Sequence, residues 1–120
     1  MGLIDRILRK SRKTGVVPAS AQTFDELLNS SRYVVVDFWG KRCPPCEAME
    51  PIVERLAGEY DGRVLFLKVS VNSSPELAER CRVRSVPAFL FFENARLKGR
   101  RVGAMKYEHF KRWVDGLMEG

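Results

Sequence analysis

Cys43 and Cys46 stand two residues apart in the stretch Arg42-Cys43-Pro44-Pro45-Cys46, and both residues between them are proline. Two thiols at this spacing can supply half of a zinc site, staple a loop, or exchange electrons as a dithiol. The prolines weigh on that choice. Both suit the first turn of a helix, where a missing N–H removes no intrahelical bond. With Cys43 as the capping residue, the nearest free donor of that turn is the backbone N–H of Cys46. It points at the Cys43 sulfur as a donor points at a capping oxygen. The helix dipole adds partial positive charge at the same place. Both effects favour thiolate, so the Cys43 pKa is expected below the roughly 8.5 of a free cysteine. Lys41 and Arg42 add cations, screened by salt if they are exposed. Cys46 lies one turn on and is expected to be less exposed. The roles then divide: Cys43 attacks a substrate disulfide, a mixed disulfide forms, and Cys46 resolves it.

The other two chemistries fit less well. Zinc would need Cys81 and His109, the single histidine, to complete its ligands. The prolines also remove amides that commonly support metal-bound thiolates. A structural staple across so short a loop would restrict the unfolded chain very little.

Asp37 interrupts the apolar run 33–39, six residues before Cys43. A carboxylate there is costly to bury and should have a raised pKa. It could act through water as the base that deprotonates Cys46. It could instead be a buried acid paired for fold specificity with Lys68, in the middle of the strand read over 63–71. Beside a dithiol the first reading is favoured. Val86-Pro87 is the third signal. A proline opening a central strand either has a cis peptide bond, leaving a backbone edge free for an extended substrate, or is a trans proline at a strand start. The residues alone leave both open.

These groups need a frame. Residues 33–39, 63–71 and 86–92 read as strands, the first buried on both faces. Thr23 and Glu26 form a capping box that opens a helix to about Ser30. A longer helix starts at Pro44 and runs to Tyr60, kinked at Pro51. A short one starts at Pro75 and ends near Cys81, and a last one covers 107–118. Residues 97–103 return as a strand in a hairpin through Asn94-Ala95. Strands joined through helices should be parallel, with right-handed crossovers. The expected fold is α/β: a mixed central sheet flanked by helices on both faces. Cys43 then falls at the carboxyl end of a central strand, where open α/β sheets place their chemistry. Residues 3–13 put Leu3, Ile4, Ile7 and Leu8 at helical spacing, a short amphipathic extension closed by Thr14-Gly15.

The chain has 120 residues, 45% hydrophobic and 30% charged, an ordinary balance for one globular domain and against a disordered or fibrous chain. No apolar run is long enough to span a bilayer. Most of the formal +6 charge sits in residues 1–13, where Arg6, Arg9, Lys10, Arg12 and Lys13 stand against Asp5 alone. The globular body therefore has no strong claim to a polyanion, and no nucleic-acid partner is expected. The basic arm is read as a solvated extension or a helix packed on its own domain. A weak membrane or partner contact through residues 1–13 is the sharper alternative. The third cysteine, Cys81, makes the count odd, which argues against a secreted disulfide scaffold. No signal-peptide pattern opens the chain, so a cytoplasmic location is expected.

Taken together these residues resemble the thioredoxin family, over about Val16 to Gly120. The stretch VVVDFWGKRCPPCEAMEPIVERLAGEY resembles the family's strand, active-site turn and proline-kinked helix, and VRSVPAFLFFENARLKGRRVGA its cis-proline strand and hairpin. The resemblance implies a thioredoxin fold in residues 16–120, with residues 1–15 as an extension. It implies a monomeric disulfide reductase that needs no cofactor of its own and takes electrons from a thioredoxin reductase or equivalent donor. Carried over, Cys43 is the nucleophile, Cys46 the resolving thiol, Asp37 and Lys68 the buried acid and its lysine, and Pro87 the cis-proline. Trp39, Val86, Gly103 and Ala104 form an apolar rim for protein substrates. The chain departs from the family in three places. Arg42 replaces a tryptophan and should favour acidic partners. Pro44 replaces a glycine beside Pro45 and stiffens the turn. Asn94-Ala95 replaces Asn-Gly and leaves the turn type open. An oxidase or isomerase of an oxidising compartment shares the same fold, and a binding module with secondary redox chemistry is a further alternative.

The cap predicts that Cys43 alkylates faster than Cys46 in the reduced protein near neutral pH. Mass mapping after a brief iodoacetamide pulse measures it, and equal labelling of the two would contradict the cap.

Overall fold

The computed structural model describes residues 15–119 together with Gly2 and Ile4. The expected extension helix over 3–13 lies otherwise outside the described residues. Five strands form one sheet: β1 (Val16–Pro18), β2 (Tyr33–Trp39), β3 (Val64–Ser70), β4 (Ala88–Glu93) and β5 (Arg96–Val102). Their spatial order is β1-β3-β2-β4-β5. β1 and β2 run parallel to β3, while β4 is antiparallel to both β2 and β5. Four helices are described: α1 (Phe24–Leu28), α2 (Pro44–Glu59), α3 (Pro75–Arg80) and α4 (Tyr107–Glu119).

Strand periodicity decides which face each side chain meets. Val34, Val36 and Phe38 of β2 join Leu67, Val69, Leu90 and Phe92 under α1 and α3, packed against Phe24, Leu27 and Leu77. Val35 joins Phe66, Phe89 and Phe91 on the opposite face, under Met49, Val53 and Leu56 of α2 and Phe110 and Val114 of α4. Phe89 and Phe110 meet edge to face at 4.8 Å between centroids. Burying each of these large side chains contributes roughly 1.5–3 kcal/mol. By the same parity Asp37 falls on the α2 face, and so does Lys68, its register partner in β3. The dithiol helix therefore lies over the one acid of β2.

Three expectations are corrected. The capping box does not form. Thr23 is already helical at φ −110° and ψ −11°, and its Oγ1 instead accepts the Ser20 N–H at 3.1 Å. Backbone bonds close the start of α1, from the Phe24 N–H to the Ser20 carbonyl at 2.9 Å. The strand read from residue 86 starts at Ala88, because Pro87 has no N–H for the ladder. β1 is a strand that the sequence pattern does not predict: three residues ending in proline carry no periodicity, and proline is tolerated on the sheet edge that β1 occupies.

The hairpin turn is settled. Asn94 and Ala95 both have positive φ, 51° and 64°, the left-handed pair that a type I′ turn needs. Asparagine tolerates that region, whereas alanine pays roughly 1–2 kcal/mol for it. Ala95→Gly should therefore raise stability by about 0.5–1 kcal/mol after the entropy that glycine gains in the unfolded chain. Urea unfolding measures this, and an unchanged or lower midpoint would contradict it.

Candidate active site

Cys43 caps α2 at φ −121° and ψ 88°, with Pro44 and Pro45 as the first two helical residues. The Cys46 N–H donates to the Cys43 Sγ at 3.2 Å, the contact that the proline spacing predicted. The two sulfurs are joined in a disulfide with the Cα atoms 5.2 Å apart, so the structure is that of the oxidised chain. Cys81 and His109 do not join them: Cys81 caps the end of α3, and no group of three His, Cys, Asp or Glu among the described residues is placed to hold a metal ion. The expected difference in exposure is small. Cys43 is 9% exposed and Cys46 6%, so the hydrogen bond, more than exposure, distinguishes the two sulfurs.

The Val86–Pro87 peptide bond is cis. Pro87 is buried and Val86 half-buried, and the Cys43 Sγ lies 3.9 Å from the Val86 carbonyl oxygen. The Gly103 N–H donates to the Pro87 carbonyl at 2.8 Å. Gly103 has φ +96°, a conformation L side chains rarely adopt. Cys43, Val86, Pro87 and Gly103 are thus brought into one continuous surface, from three separate parts of the sequence. Ala104 follows Gly103 and is exposed, and Trp39, half-buried, ends β2. Arg42 is exposed, with φ +53°, so its side chain leaves the loop toward solvent where the resemblance places an aromatic residue. Pro44 and Pro45 are exposed as well.

Sequence reasoning missed two residues that hold this surface together. The Asn72 side chain accepts the Lys41 N–H at 2.8 Å and so ties the loop before the dithiol to the end of β3. A Cβ on Gly40 would sit 3.3 Å from Val86 Cγ2, so the absence of a side chain there lets the loop approach the proline segment. Neither belongs to a spaced motif, and no signal in one sequence pairs position 41 with position 72.

Asp37 is 7% exposed, and its Oδ1 is buried without a hydrogen-bond partner among the described residues. The expected pairing with Lys68 is looser than an ion pair: Lys68 is exposed, and no salt bridge between them is formed. Burial pushes the Asp37 pKa up to about 7, the nearby Glu50 charge pushes in the same direction, and Lys68 opposes both. Asp37 lines a cleft of about 360 Å³ with Cys46, Glu50, Trp39 and Lys68. A carboxyl that can hold or release a proton near neutral pH therefore shares a cavity with the second cysteine.

The comparisons with known proteins agree with this geometry. The Thioredoxin family model matches residues 15–116. The chain is 39% identical over 95 residues to Thioredoxin 1 of Chlorobaculum tepidum, covering 78% of this chain and 94% of that protein. It is 33% identical over 101 residues to the thioredoxin of Buchnera aphidicola subsp. Acyrthosiphon pisum, covering 83% and 94%. Among solved structures, a point-mutant thioredoxin from Halobacterium salinarum superposes with a TM-score of 0.79 at 26% identity, over 85% of this chain and 89% of that one.

The Asp37 environment sets a pH dependence. Its pKa is raised on folding, so between about pH 4 and pH 7 the folded chain holds a proton that the unfolded chain has released. Stability from this group is therefore full below about pH 4 and falls as pH rises to about 7, by on the order of 4 kcal/mol. Asp37→Asn, neutral at every pH, should be more stable than the parent at pH 8, with the difference vanishing toward pH 4. Urea unfolding of the two oxidised proteins at pH 4, 6 and 8 measures the gap, and a gap independent of pH would contradict the assignment.

Proposed function

The chain belongs to the thioredoxin family, and on that footing we propose that Cys43 is the attacking thiol and Cys46 the resolving thiol of a protein-disulfide reductase. The fold is the thioredoxin fold, and thiol-disulfide exchange at the Cys43–Cys46 pair is its activity. The observation that carries the assignment of roles is the Cys46 N–H donated to the Cys43 Sγ at 3.2 Å. That bond goes to Cys43 alone, and Cys43 sits closest to the positive end of the helix dipole, so both favour charge on Cys43 over Cys46.

The steps follow. In the reduced protein the Cys43 thiolate attacks a substrate disulfide, forming a mixed disulfide and expelling one substrate thiolate. The Asp37 carboxylate takes the proton of the Cys46 thiol. The Cys46 thiolate attacks the Cys43 sulfur, which closes the intramolecular disulfide and releases the second substrate thiolate. Two electrons have moved to the substrate, and a thioredoxin reductase or equivalent dithiol donor restores the pair. Lys68 tempers the proton affinity of Asp37 from the sheet. Val86, Pro87, Gly103, Ala104 and Trp39 receive the substrate segment, with the backbone beside Pro87 pairing with an extended chain. The exposed Arg42 draws substrates with acidic residues near the disulfide, while Pro44 and Pro45 hold the loop rigid.

The finer readings rest on smaller observations. Residues 16–120 make up the catalytic domain and residues 1–15 an extension. Ile4, half-buried against the α1 and α3 layer, supports an arm that packs on its own domain over one that docks to a membrane. No helix among the described residues is long and apolar enough to cross a membrane. The unpaired Cys81 thiol fits a reducing cytoplasmic compartment, and we take the working unit to be a monomer.

Cys46→Ser should arrest the reaction at the mixed disulfide, so that protein substrates remain attached through Cys43. Cys43→Ser should abolish both capture and reduction. Non-reducing gels with peptide mapping, together with an insulin reduction assay, test both variants. Capture through Cys46 in the Cys43→Ser protein at a comparable yield would reverse the roles.

A further inference from the structure

We propose that Glu50 is the outer station of a proton relay that carries the Cys46 proton from Asp37 to solvent. Cys46, Glu50 and Glu54 recur at intervals of four along α2, which puts them on one helix face. All three line the cleft of about 360 Å³ at whose wall the buried Asp37 sits. Glu50 is exposed, so a single cavity connects a buried acid to a carboxylate in contact with water. The Asp37 Oδ1 is buried and has no hydrogen-bond partner among the described residues. A buried carboxyl whose residue lines a polar cleft lies beside an exchange route for its proton.

The charged groups around Asp37 are few. β3 contributes Lys68, α2 contributes Glu47, Glu50 and Glu54 besides Cys46, and the loop before the helix contributes Lys41 and Arg42 at the cleft mouth. Across the β2–β4 pairing, Asp37 meets the apolar Phe89. Of the acids, Glu50 is the one whose negative charge raises the proton affinity of Asp37.

The relay deepens the proposed function and rests on Asp37 acting as the base. The Cys46 thiol gives its proton to the Asp37 carboxylate, leaving the Cys46 thiolate and a neutral Asp37. Asp37 passes the proton to the Glu50 carboxylate and becomes ionised again. Glu50 releases it to solvent. One proton leaves per turnover, and both acids return to their starting state.

Stopped-flow reaction of the reduced protein with 5,5′-dithiobis(2-nitrobenzoate) separates the steps. The first equivalent of coloured thiolate reports attack by Cys43 and the second reports resolution by Cys46. The leaving thiolate needs no proton, so the second phase follows Cys46 alone. At pH 8 in dilute buffer Asp37 is largely ionised in either protein. Glu50→Gln should leave the first phase unchanged and slow the second about fivefold, less than the roughly 10²–10⁴-fold that a group transferring the proton directly supplies. Added imidazole, a diffusible base, should restore it. A second phase in Glu50→Gln equal to the parent, or a slowing that imidazole does not relieve, would overturn the relay. Asp37→Asn run alongside keeps the two ideas apart. If Asp37→Asn slows the second phase and Glu50→Gln does not, the relay alone fails. If neither slows it, Asp37 is not the base, and the relay falls with it.

Discussion

Of the first three helical positions of α2, only Cys46 carries an N–H, because Pro44 and Pro45 have none to offer. The donor closest to the helix start is therefore unopposed, and it meets the Cys43 sulfur at 3.2 Å. An ordinary helix start spreads its donors and its partial positive charge over several amides. Here the prolines concentrate the contact on one sulfur. They also fix φ at two consecutive positions, so the loop between the cysteines loses little freedom when the disulfide closes. Charge stabilisation and closure thus come from the same two residues.

The remainder of the molecule brings partners to that sulfur. Alternation along β2 sends Asp37 to the α2 face, while its neighbours Val36 and Phe38 fill the opposite layer. β4 starts immediately after Pro87, which sets the Val86 carbonyl 3.9 Å from the Cys43 Sγ. The Pro87 carbonyl in turn takes the Gly103 N–H beyond β5. On the other side Asn72 and Gly40 hold the loop before the helix down against Val86. The apolar layers on both faces of the sheet keep these edges in register. The reacting groups thus sit on a strand and at a helix start, and the loops around them shape the surface.

The sequence made a large part of this legible, for identifiable reasons. β2, β3 and the long helix showed because buried strands read as apolar runs and proline marks helix starts. Cys43, Cys46, Asp37 and Pro87 stood out because each is expensive or unusual in its local pattern. What stayed hidden was of another kind. Thr23 and Glu26 have the residue types of a capping box, but the turn before α1 engages the threonine hydroxyl first. β1 is too short to have a period. Lys68 was readable as the neighbour of Asp37 but not as an exposed one, because pairing register does not fix where a long side chain ends. Asn72 and Gly40 matter through contacts made only when distant segments meet, and no residue type announces that.

The chemistry of the pair depends on the electrostatic effect of one amide on one sulfur. Titration of the reduced protein, following thiolate absorbance near 240 nm in the parent and in Cys46→Ser, measures that effect directly. The cap predicts that Cys43 ionises clearly below the roughly 8.5 of an unperturbed thiol, and does so in both proteins, since the donor is backbone and survives the substitution. A Cys43 midpoint at or above that value in both would contradict it.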